Sequence, residues 1–253
     1  MRCLPLLLLL GCPVGTNDKD SGSGDDTGSP DTLEPVCTEP TEPACIDAMI
    51  LDLSLHDDKV SDAEVSSESD GDDTVTYVDA SAGGYNQAAN NPWVYVRFTE
   101  DGSVERVDID DETALEDMSW HLALRRFIIR INSGDSGPSC VGAAAMIGYS
   151  YEDLTEIPDG LSYRPDEFYT DDCTIINDSS GLPGSPQVAM GSWWEYPGCV
   201  DTTLTPFLLQ LEDGRVMKLV VEQYYDGDGQ EECDENGSTT ASGGYITFRW
   251  RQM

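Results

Sequence analysis

The chain has 253 residues, with 49 Asp plus Glu against 13 Lys plus Arg, a formal net charge of −36 and 39% hydrophobic residues. That apolar share at this length supports a real core. A surface this acidic repels phosphate backbones and anionic headgroups, which argues against nucleic-acid binding and against direct docking on anionic lipid.

The first twelve residues, MRCLPLLLLLGC, read as a targeting segment. Arg2 is the positive start, Leu6 to Leu10 the apolar core, and Leu9-Leu10-Gly11-Cys12 is lipobox-like. Residues 1–11 are expected to be removed as a lipoprotein signal peptide, leaving Cys12 lipidated; the apolar run is too short to span a bilayer. Residues 12–43 read as a lipidated, flexible acidic tether. Their DKDSGSGDDTGSPD stretch cannot bury enough surface to offset its ordering entropy. A single domain is expected over 44–253.

Export sets the redox expectation. With Cys3 removed and Cys12 lipidated, Cys37, Cys45, Cys140, Cys173, Cys199 and Cys233 remain, an even number suited to disulfides in an oxidising compartment. Six Cys allow about 15 connectivities, and spacing does not choose among them.

In chain order, AMILDLSLH reads as an early strand and His56 to Asp73 as a solvated acidic loop. Trp93 to Phe98 and Ser103 to Ile109 alternate apolar and polar residues around an Asp-Gly turn, which predicts a hairpin. DETALEDM predicts a short helix. Ser119 to Asn132 is strand-like, with a change of parity at Arg125-Arg126 that predicts a bulge. Phe207 to Leu211 and Arg215 to Tyr225 form a second hairpin pattern, and GGYITFRWRQM a last strand. The expected class is all-β, a mainly antiparallel single domain with a disordered N-terminal tether.

Three motifs could carry chemistry. Gly134-Asp-Ser-Gly-Pro138 looks like a serine-protease nucleophile loop. That mechanism needs a His base oriented by Asp, and the chain holds only His56, in the acidic stretch, and His121, close before Ser136. The run from Asp226 to Gly237 places Asp226, Asp228 and Asp234 as candidate calcium ligands, since alternating carboxylates can converge on a hard cation. Its sixth and twelfth positions, Glu231 and Gly237, do not suit an EF-hand. Arg125, Arg126 and Arg130 cluster within six positions, either neutralising local carboxylates or pairing an anionic ligand such as a propionate.

Val78-Asp-Ala-Ser-Ala-Gly-Gly84, Asn91-Pro-Trp-Val-Tyr-Val96, the block from Ser119 to Gly137, and Trp193-Trp-Glu-Tyr196 together resemble the HmuY family, over roughly residues 74–253. The Trp120…Arg-Arg-Phe…Asn-Ser-Gly block is the most specific part. The resemblance implies a mainly β, HmuY-like lipoprotein of the bacterial envelope, at the outer membrane or cell surface. It also implies non-catalytic binding of haem or another tetrapyrrole, with delivery to an outer-membrane haem transporter. Haem needs an apolar slot and axial donors. Placement within the resemblance makes Met146 and Met190 the ligand candidates and His121 the runner-up. Arg125, Arg126 and Arg130 are then propionate candidates, and Tyr149, Trp193 and Trp194 candidate pocket walls. For each Met, plain core filling is the competing reading. The alternative function is a surface interaction or cation-binding lipoprotein on the same fold that has lost haem.

Overall fold

The computed structural model describes residues 33–253, Pro183 apart. The signal peptide, the Cys12 lipidation site and most of the tether lie outside the described residues.

Two antiparallel sheets form the body. The larger has the order β1 (Val65–Asp70), β2 (Asp73–Asp79), β12 (Gly243–Gln252), β11 (Val216–Tyr225), β10 (Phe207–Gln210) and β7 (Gly142–Ala145). The smaller has the order β4 (Val104–Arg106), β3 (Val94–Phe98), β5 (Leu122–Arg125) and β6 (Ile128–Ile131). A two-stranded ribbon pairs β8 (Trp194–Glu195) with β9 (Asp201–Thr202).

Period-2 alternation decides which side chains meet. Ile246, Phe248 and Trp250 of β12, Met217, Leu219 and Val221 of β11, and Val94, Val96 and Phe98 of β3 share the main core between the sheets. The opposite parity of the smaller sheet, Trp93, Tyr95 and Ala123, joins a second core with Met49, Leu53, Leu115 and Phe168. The outer face of the larger sheet carries a third cluster, Ala144, Met146, Leu154, Leu208 and Val216.

Three disulfides settle the connectivity: Cys37–Cys140, Cys45–Cys173 and Cys199–Cys233. The first shortens the expected tether. Val36 N–H donates to Glu212 O at 2.7 Å and Thr41 N–H to Pro138 O at 2.7 Å, so the segment from Val36 onward belongs to the domain. The strap also crosses the β10–β11 turn. A Cβ on Gly214, at φ +88°, would stand 2.6 Å from Glu34 O, so a side chain there is both strained and blocked.

Both predicted hairpins and the last strand are present. Four local readings are corrected. AMILDLSLH forms a helix, α1 (Ile46–Asp52), because Met49 and Leu53 at i and i+4 fill the second core; a short apolar run does not by itself distinguish helix from strand. The second half of the acidic loop is strand β1, an edge strand whose polar residues stay largely exposed. DETALEDM forms only a single 3-10 turn, Thr113–Leu115. The predicted bulge is a two-residue hairpin turn. Arg125 pairs Ile128 across Arg126-Phe127, with Arg126 at φ +56°. A non-glycine residue in the left-handed region conceals the turn in the sequence.

Among the described residues no helix is long and apolar enough to cross a membrane.

Candidate functional site

The Gly134–Pro138 loop is a structural knot. Ser136 is fully buried and its hydroxyl donates to Asp166 Oδ2 at 2.6 Å. Ile131 N–H donates to the same oxygen at 2.9 Å, and Ala189 N–H to Oδ1 at 2.7 Å. Asp135 accepts from the N–H groups of Phe168 and Tyr169. Gly137 packs so closely that a Cβ would meet Asn132 Oδ1 at 2.3 Å and Trp120 at 2.6 Å. Burial pushes Asp166 up to about 6, against the lowering effect of its donors and of Arg130. Neither His reaches this loop. His56 Nε2 lies at 3.2 Å from Ala89 O, and His121 is held elsewhere.

Asp166 joins two walls of a cleft of about 610 Å³. One wall is Arg164, Pro165 and Glu167. The other runs from Gln187 to Tyr196, and Ala189 on it is the residue tied to Asp166. Trp194 and Tyr196 supply aromatic surface, Val188, Ala189 and Gly191 small apolar surface. The volume falls in the small-molecule range of about 300–1,000 Å³. A second depression, about 560 Å³, contains His121 and Glu212, but its cations Arg97 and Arg215 are paired with Glu105 and Asp213.

The predicted ligands are not brought together. Met190 is fully buried in the main core, with Trp193 and Trp194. Met146 lies with Ala144 and Leu208 on the opposite face of the larger sheet, so strands β7 and β10 separate the two sulfurs. Met190 is flanked by the cleft residues Ala189 and Gly191; Met146 is not part of the cleft wall. His121 is buried rather than partly solvated. Its Nδ1 accepts the Phe98 N–H at 2.9 Å, which leaves the ring proton on Nε2, facing Glu212 at 3.2–3.3 Å. Neither nitrogen presents a free lone pair.

The three clustered arginines diverge. Arg125 and Arg130 are buried, their guanidinium carbons 4.4 and 4.2 Å from the Trp93 ring centre. Arg125 donates to Leu53 O and Ser54 O, and burial pulls it down to about 10. Arg130 donates to Tyr95 Oη at 3.2 Å. Arg126 turns the other way, donating to Gly243 O over the Tyr224 ring. Of the wall candidates, Trp194 lines the cleft, Trp193 is buried with its Nε1–H donating to Phe127 O at 3.1 Å, and Tyr149 is exposed outside the cleft.

The calcium candidates do not converge. Asp228 stands at the N-cap position of helix α2 (Gly229–Asn236) without a side-chain capping bond, and Asp234 accepts from Gln230 at 2.7 Å. Among the described residues no group of three or more His, Cys, Asp or Glu could hold a metal ion.

The residue that sequence reasoning missed is Arg164. It lies in a patternless stretch, SYRPDEF, and no local signal marks it. For a tetrapyrrole the fit is divided. The cleft is lined by two aromatic residues, Trp194 and Tyr196, and by a guanidinium that suits a carboxylate. Its lining donors are oxygens, and no sulfur or imidazole faces it.

The described residues form a two-sheet β domain with a side cleft. The HmuY protein family model matches residues 89–250, and the chain belongs to the HmuY family, whose members are binding proteins associated with haem. The chain is similar in structure to the apo HmuY analog of Tannerella forsythia, at 19% identity over 78% of this chain and 99% of that one, with a TM-score of 0.44. It is also similar to apo PinO from Porphyromonas gingivitis, at 16% identity over 77% and 97%, with a TM-score of 0.38. No curated protein matches the chain.

Proposed function

We propose that this chain is an exported, lipid-anchored protein of the cell envelope, at the outer membrane or cell surface, that binds haem or another tetrapyrrole without catalysis. Its role is capture or transfer, with an outer-membrane haem transporter as the receiving partner and the membrane contacted only through lipid on Cys12. The observation that carries the reading is the cleft of about 610 Å³ between Arg164 and the Gln187–Tyr196 wall, inside the segment matched by the family. The lipobox-like start and the three disulfides support export. Haem, when bound, would supply an iron centre that a side-chain donor of this chain could hold. Met190 is the ligand candidate next to the cleft, between the lining residues Ala189 and Gly191, and its side chain is buried in the main core.

Titrating the reduced and oxidised protein with haemin tests this reading. A shifted, sharpened Soret band that saturates at one equivalent is expected. An unchanged free-haemin spectrum in both redox states would leave the second reading, an interaction or cation-binding lipoprotein that has lost haem. The oxygen-only donor set of the cleft favours that alternative.

A further inference from the structure

Every Lys and Arg side chain among the described residues makes a hydrogen bond or ion pair, with the exception of Arg164. Arg164 is exposed, and it lines the cleft of about 610 Å³ in a chain with net charge −36. Its backbone is fixed. Arg164 N–H donates to Ala143 O and Ala143 N–H to Arg164 O, both at 2.9 Å, so the guanidinium projects from a bridge to strand β7. A free guanidinium has five donors in a planar fork that suits a carboxylate.

The other groups of the cleft give the ligand a direction. Trp194, largely buried against Phe127, and the exposed Tyr196 line the opposite wall. Of the three carboxylates there, Asp178 is already engaged by Ser180 N–H and the Ser185 hydroxyl. Glu167 and Glu195 are exposed and disfavour an anionic group anywhere but beside Arg164. No soft metal donor lines the cleft: Met190 and Met146 are packed in separate cores, and both His121 nitrogens are engaged.

We infer that Arg164 is the carboxylate anchor of this cleft, and that the cleft recognises a porphyrin by its ring face and its carboxylate, independently of bound metal. This rests on the tetrapyrrole reading above and narrows it. The ligand class is porphyrin carboxylates, iron-loaded or metal-free.

The test is a set of binding titrations on the full chain with haemin, metal-free protoporphyrin and the dimethyl ester of that porphyrin. Wild type, Arg164→Gln, Arg164→Lys and the control Arg97→Gln are compared, with thermal unfolding to confirm that each is folded. Metal-free protoporphyrin should bind within a few-fold of haemin. Arg164→Gln should weaken both on the order of tenfold, the size of one charge-assisted contact, and leave the ester unchanged. Arg164→Lys should recover part of the loss, and Arg97→Gln none of the effect. Haemin binding far more tightly than the metal-free ring would overturn the inference while leaving the tetrapyrrole reading intact. Equal affinities for Arg164→Gln and wild type would overturn Arg164 as the anchor. Failure of both porphyrins to bind wild type would remove the tetrapyrrole reading and the inference with it.

Discussion

Two regions of this molecule bring arginine and tryptophan into one neighbourhood, one sealed and one open, and they differ in every respect that matters for binding. Behind the smaller sheet, Arg125 and Arg130 lie over Trp93, enclosed by α1, with their donors turned to Leu53 O, Ser54 O and Tyr95 Oη. On the other side of the Asp166 knot, Arg164 stands free in a cleft walled by Trp194 and Tyr196. The first region is dense in sequence and sealed in space. The second is assembled from distant segments and left open. Cationic density along a chain therefore says little about availability: a guanidinium is available to a ligand only where the fold gives its donors no other acceptor.

The sealed region should carry stability. Trp93→Ala removes a fully buried ring from the second core and should cost about 3–5 kcal/mol, read as a lower midpoint in denaturant. Porphyrin affinity of the folded protein should not change. A loss below about 1 kcal/mol would mean that the layer is not the packing unit described here.

The disulfide that pins α1 over this layer comes next. Replacing Cys45 and Cys173 together by Ser should cost about 2–4 kcal/mol, given their sequence separation of 128. Unchanged unfolding would show that α1 holds its place by apolar packing alone.

Asp166 connects the two regions, and its effect is pH-dependent. Burial raises its carboxyl from 3.8 to about 6 in the folded state. Between about pH 4 and 6 the native state holds a proton that the unfolded chain has released, so this group's contribution falls as pH rises through that window and is level above it. The full difference is on the order of 3 kcal/mol. The wild-type stability curve minus that of Asp166→Asn should show this downward slope. A flat difference would show that the three donors to Asp166 outweigh its burial.

The smallest effect on stability belongs to the open region. Arg164→Gln should shift stability by less than about 0.5 kcal/mol, because the side chain is exposed and makes no hydrogen bond or ion pair among the described residues. A larger loss would mean that Arg164 supports the fold and is not held in reserve for a ligand.

The same contrast explains what could be read from the amino acids. The two hairpins and the last strand were legible because alternation and a turn glycine such as Gly214 are local signals. Helix α1 was not, because seven residues of apolar sequence fit either period. The Arg126-Phe127 turn was hidden by a side chain where glycine or asparagine is usual. At the site, Trp194 was legible from its aromatic neighbourhood. Arg164 was not, because it reaches the Gln187–Tyr196 wall only through its bridge to Ala143 and the bond from Ala189 to Asp166. Met146 and Met190 were paired by their placement within the resemblance; the fold packs them in two different hydrophobic clusters.

Hydrogen–deuterium exchange with and without haemin tests most directly where the ligand sits. The account predicts added protection at the amides of residues 163–167 and 187–196, with residues 122–131 unchanged because they are already sealed in strands and core. Protection centred on residues 122–131 or on the Met146–Tyr149 turn, with the Gln187–Tyr196 wall unaffected, would contradict it.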